Sequence, residues 1–163
     1  MAYQAKTFNW REPINAIVEV AKEITGLPVV AENQANDQKD YPFIVFTMVT
    51  PRASITSSNT KTNELFNTTF QFDCYAKSEG EALSISDDLA TLFSDVKYHE
   101  ELKKSGVIVN RDSATDTSIQ NQELTSFMPI SVAGFDLKVQ LHRTYSSDYP
   151  TLNEFNLGKG SVQ

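Results

Sequence analysis

The sequence predicts an α+β fold, a mixed and mainly antiparallel sheet with two main helices packed on one face. Two segments place apolar residues at helical spacing. Other segments alternate apolar and polar residues with a period of two, as half-buried strands do. Those strand segments follow one another through hairpin-length connections, which favours antiparallel pairing over repeated crossovers.

The first helix is expected at residues 12–25, where Ile14, Ile17, Val18, Ala21 and Ile24 share one face. Pro13 suits its first turn, and Gly26 followed by Pro28 ends it. A short extended piece at 29–31 leads into a polar loop at 32–40. "YPFIVFTMVTP" reads as a strand bounded by Pro42 and Pro51. It is apolar on both parities, with Phe43, Val45 and Val49 on one and Ile44, Phe46 and Met48 on the other. Such a strand is normally covered on both faces. "SITSSNTKTNE" follows as a polar loop or extended hairpin.

"NTTFQFDCYAK" then alternates, with Phe70, Phe72, Cys74 and Ala76 on the apolar side. The second helix opens at Ser78, which forms a capping-box pair with Glu81. Its stripe is Ala82, Ile85, Leu89, Leu92 and Phe93. "VKYHEELKKSG" suits a further helical turn or a loop, "VIVNR" a short strand, and 112–126 a polar, turn-rich connection. "SFMPISV" and "AGFDLKVQLHRTY" close the domain as two strands with Gly134 between them. One domain is expected over residues 1–147, followed by an extended or partly disordered tail at 148–163.

Composition narrows the function classes. The 163 residues suit one domain with a sizeable core, and no apolar run approaches the roughly 20 residues that span a bilayer. The opening residues lack a hydrophobic signal region, so secretion by the common route is not expected. One cysteine, Cys74, excludes an intrachain disulfide framework. A net charge of −7 argues against a broad nucleic-acid footprint and favours a soluble monomer. His99 and His142 have no partner at metal-ligand spacing, and neither a phosphate-binding loop nor a nucleophile elbow is present. Asp87–Asp88 suit a solvated helix face. Asp112 and Asp116 lack the dense oxygen ligands of a calcium loop. No catalytic residue, metal ligand or cofactor site is expected.

One mismatch points to assembly. The strands at 69–76 and 135–142 each have a polar face, whereas 43–49 has none. In a shared sheet, Ile44, Phe46 and Met48, or their opposites, emerge on the wet side, and burying each is worth about 1.5–3 kcal/mol. The cover is either the chain's own tail, with Leu152, Phe155 and Leu157, or a neighbouring subunit. An assembly protein with an exposed polar hairpin at 54–64 follows.

"YPFIVFTMVTP", "LFNTTFQFDCYAKSEGEALSISDDLATLF" and "GFDLKVQLHRTYSS", in that order, resemble the tail (neck) terminator proteins of tailed bacteriophages. The resemblance spans roughly residues 10–147 and rests on element order. It implies a ring, commonly hexameric, that caps the tail tube and meets the head-side connector, with no catalytic residues. Its partners would be further copies of itself, the tail tube protein and the connector. Its place would be the virion tail or neck, and the host cytoplasm during assembly. It directs attention to the hairpin, with Arg52, Ile55, Thr60, Lys61 and Glu64, and to Arg143, Tyr145 and Tyr149. Two other classes remain open from the residues alone. One is another tail component, a tube or baseplate subunit. The other is a small cytosolic enzyme or ligand-binding domain with a pocket around Asp73, His142 and Arg143.

Overall fold

Residues 3–37, 40–56, 62–110, 118–122 and 130–146 are described in a computed structural model. Helix α1 (Arg11–Thr25) carries Pro13 in its first turn and ends where Gly26 adopts φ 69°, its N–H donating to Lys22 O at 2.7 Å. Strand β1 (Val29–Ala31) runs parallel to β2 (Phe43–Ser54), with a 3₁₀ turn (Glu32–Asp37) between them in sequence. Strand β3 (Asn63–Ala76) returns antiparallel to β2 and runs into helix α2 (Glu79–Phe93). Ser78 caps α2 by accepting from Glu81 N at 3.3 Å. "VKYHEELKK" is a third helix, α3 (Val96–Lys104), whose cap Asp95 accepts from Lys97 N at 2.9 Å. Strands β4 (Ile108–Val109), β5 (Ser118–Gln122) and β6 (Ile130–Thr144) complete the sheet.

The sheet order is β1-β2-β3-β6-β4, with β5 also on β6. Because β3 pairs with β6 from Ser131 to Thr144, β4 and β5 share the opposite edge of β6. Helix α2 packs on β3 and β6, and α1 packs on α2 and α3, so the helices lie on one face. The fold class is the expected one, with α3 as an addition.

The core follows from cross-strand register. Phe66 faces Leu141, Phe70 faces Leu137 and Phe72 faces Phe135, all buried in one core with Phe93 and Leu89 of α2, where Phe93 packs against Phe72 and Phe135. The Phe72 and Phe135 rings stack at 5.5 Å with 13° between planes, an arrangement worth about 0.5–1.5 kcal/mol beyond burial. Cys74 lies fully buried in this layer, and burial pushes its thiol up to about 12.

Four expectations change. The closing strand is one continuous element, and Gly134 sits inside it. A Cβ at Gly134 would meet Asp73 Oδ1 and would lie 2.7 Å from Phe72 O, so glycine here permits close strand approach instead of marking a break. Strand β2 continues through Pro51 to Ser54 with register shifts at Met48/Thr50 and Thr50/Ala53. Proline is tolerated because β1 covers β2 only from Ile44 to Phe46, leaving an edge where no ladder donor is needed. The connection at 112–126 contains β5.

Most consequentially, Ile44, Phe46 and Met48 face the helices. Ile44 pairs with Cys74, Phe46 with Phe72 and Met48 with Phe70, which fixes that parity on the core side. Ile44 is fully buried in the chain's own core, and Phe46 and Met48 pack against it. Cover from within the chain, one of the two alternatives left open by the sequence, is thus what Ile44 has, while Phe46 and Met48 are half-buried. Phe43, Val45 and Val49 take the opposite parity, where Phe43 stacks on Tyr75 at 5.0 Å and Val49 is exposed.

Candidate assembly surface

The described ends of β2 and β3 nearest their connection hold a buried charge cluster. Counting back along the apolar parity of β3 from Phe70 through Phe66 leads to Glu64, only 1% exposed. Its partner across the ladder is Arg143, on the apolar parity of β6 and 9% exposed. The two β2 irregularities bring in Arg52, whose Nε and Nη2 donate to Glu64 Oε1 at 3.2 and 3.0 Å. Arg143 Nη1 stands 3.7 Å from Glu64 Oε2 as an ion pair. The residues preceding α1 close over this cluster. Phe8, Trp10 and Phe66 form a triangle of edge-on rings with centroids 5.0–5.7 Å apart. The Arg143 guanidinium lies 5.8 Å from the Phe8 ring and 5.4 Å from Phe66, within cation–π range.

Three of the residues singled out in the sequence, Arg52, Glu64 and Arg143, thus meet each other inside the chain. Ile55 is exposed beside Leu65, whose O accepts from Ile55 N at 3.0 Å. Tyr145 is half-buried and donates its N–H to Thr62 O at 3.0 Å, tying the end of β6 to the hairpin. Thr60, Lys61 and Tyr149 lie outside the described residues, as do Asp112, Asp116 and the tail residues Leu152, Phe155 and Leu157. Sequence reasoning missed Phe8 and Trp10, which precede the first periodic residue of α1, and it missed Leu65 and Ile108.

The sheet face away from the helices divides in two. Near the hairpin it is uncharged, with exposed Leu65 and Ile108 among Asn63, Asn67, Gln140 and His142. His142 Nε2 pairs with Asn63 Oδ1 at 2.6 Å, a surface cross-strand contact. Toward the other end lie Asp73, Asp136 and Glu32. Burial raises the Asp73 carboxyl above its ordinary value, with smaller pushes from Asp136 and Glu32, partly offset by the Gln71 amide donating at 3.2 Å.

A combined site of Asp73, His142 and Arg143 does not form. Arg143 points to the core side and His142 to the open face. Asp73 pairs with Gly134, which lies about 27 Å along β6 from His142 at about 3.4 Å per residue. Among the described residues, no group of three His, Cys, Asp or Glu side chains could hold a metal. No helix among them is long and apolar enough to cross a membrane.

The family of this architecture is given by a model described as phage neck terminator protein, which matches residues 15–155. The chain belongs to that family. No curated protein shows significant similarity to it. As a neck terminator it has a phage tail-associated structural role, in the tail or neck of the virion. The matched span includes the whole hairpin, α2 and the closing strand, and so all three members of the buried charge cluster.

Proposed function

We propose that this neck terminator closes the finished tail tube as a homo-oligomeric ring, a hexamer, and forms the joint with the head-side connector. The observation that carries the reading is a sheet covered by helices on one face, with a hairpin arm fixed at its base by the Arg52–Glu64–Arg143 cluster. A buried, multiply contacted base gives the arm a defined direction, and an arm of fixed direction can act as a wedge against a tube end. Growth stops when the exposed end is covered by a surface that tube subunits cannot extend, and mass action suffices for this without a cofactor.

In this reading the arm, with Arg52, Ile55, Thr60, Lys61 and Glu64 along its length, contacts the tube or a neighbouring subunit. The rim residues Arg143, Tyr145 and Tyr149 flank it. Residues 148–163 act as an extended tail outside the domain. The net charge of −7 keeps monomers apart in the host cytoplasm until the tube end supplies a complementary surface.

The test is electron microscopy of the purified protein, alone and with its tail tube, beside a variant lacking residues 56–62. Closed rings at one end of tubes of uniform length are expected. In the variant, tubes should overgrow or fail to join heads. Filaments in place of rings, or normal length control in the variant, would overturn the proposal.

A further inference from the structure

Among the described residues, no strand lies beside the edge of β6 next to the hairpin base. Lys138 O accepts from Asn110 N on the β4 side, and Tyr145 N donates to Thr62 O on the β3 side. Backbone groups alternate in direction along a strand, so even-numbered residues of β6 aim their N–H and C=O toward the β4 edge. Strand β4 follows that edge only as far as Gln140, which pairs with Ile108. Before Ile108 the chain turns away at Gly106, φ 72°, whose N–H is taken by Lys103 O. Among the described residues, none bonds the backbone N–H and C=O of His142 or Thr144.

A groove of about 550 Å³ lies along this edge. Its walls are the residues before α1, the turn after α3, and the end of β6. Lys6 and Lys104 line it against one carboxylate, Glu12, in a chain whose overall charge is −7. Its apolar lining is Ala5, Phe8, Pro13 and the buried Leu141.

We propose that this edge accepts an extended, acidic segment of another protein as an added strand, with backbone bonds to His142 and Thr144 and carboxylates near Lys6 and Lys104. Added strands gain affinity from main-chain hydrogen bonds and selectivity from the flanking side chains. A second copy of the chain is a poor donor. The β2 edge is interrupted by two register shifts, carries Pro51 and presents Arg52, and the β1 edge is three uncharged residues long. The inference does not depend on ring formation, because the groove is built within one subunit.

The test uses the full chain and a fluorescein-labelled ten-residue peptide of alternating valine and glutamate, with binding read by anisotropy at low and moderate salt. Saturable, salt-sensitive binding is expected, together with new hydrogen-exchange protection at His142 and Thr144. The Lys6→Glu/Lys104→Glu double variant should bind at least tenfold more weakly. So should Thr144→Pro, which removes an N–H on the open edge and none from the β3 ladder. The same peptide N-methylated at alternate residues tests the unaltered protein and should not bind. Absence of saturable binding, equal binding of the N-methylated peptide, or binding only after removal of residues 147–163 would overturn the proposal. Self-association through this edge, abolished by Thr144→Pro, would overturn it equally.

Discussion

Replacing Glu64 with glutamine removes a buried charge while keeping side-chain volume. Arg143 then remains nine-tenths buried with its counter-charge gone, and Arg52 keeps an amide oxygen to donate to but loses its ionic partner. At the observed 3.7 Å, an effective dielectric of about 20 gives a gross Arg143–Glu64 attraction of about 4.5 kcal/mol. Breaking a buried pair by removing one partner costs about 3–5 kcal/mol, because an uncompensated charge stays buried. The Arg52 side chain is 33% exposed, so solvent screening limits its share to about 1 kcal/mol or less. A loss of about 4 kcal/mol follows for Glu64→Gln. At about 2–4 °C per kcal/mol for a domain of this size, that lowers the melting temperature by roughly 8–16 °C. The decisive assay is a double-mutant cycle with Arg143→Met, followed by urea unfolding. A coupling of about 2 kcal/mol is expected, and Glu64→Leu combined with Arg143→Met should recover most of the lost stability. Additivity within about 0.5 kcal/mol would refute the view that these charges hold the base of the arm together.

Three further outcomes are expected. Gly134→Ala should destabilise by about 1–3 kcal/mol, measured by denaturant midpoint, and removing the Asp73 side chain should relieve only part of it because Phe72 O still obstructs the new methyl. The Cys74 thiol, raised to about 12 by burial, should resist alkylation at pH 8 in the native protein and react at once in urea, as thiol titration would show. Asp73 binds its proton more tightly folded than unfolded, so its contribution to stability falls as pH rises from its unfolded value of 3.8 through the higher folded one. Asp73→Asn should therefore flatten that part of the stability–pH curve and leave the protein more stable than its parent at pH 7.

Helix α1 and the start of α2 were legible because their signals are local: Pro13 and Gly26 at the ends of one, Ser78 and Glu81 at the start of the other. The central ladder was legible because Phe70, Phe72, Leu137 and Val139 keep strict alternation on half-buried strands. The facing of β2 was not. A strand apolar on both parities carries no local record of which side meets the helices, and only the pairing of Ile44 with Cys74 settles it. The charge cluster was half visible. Glu64 and Arg143 each continue an apolar parity, yet a lone charge at a strand end favours solvent unless its partner is close. That partner comes from the far end of the chain, and Arg52 reaches it through two bulges that leave no signature in the residues. Gly134 was misread for a related reason, since the need for it lies in Asp73 on another strand.

The pairing of Asn63 with Thr144 also governs when the protein can finish folding. Strands β3 and β6 are neighbours in space but are separated in sequence by α2, α3 and two short strands, so the central ladder has high contact order. During synthesis, β3 must wait with one edge bare until residue 144 has left the ribosome, roughly 4–16 s at about 5–20 residues per second. Over that interval Phe66, Phe70 and Phe72 lack their partners from β6, although α2 has already been made. Chains stopped before residue 144 should collect as aggregates, and the supply of assembly-competent subunits should depend on how the host shelters that unfinished sheet.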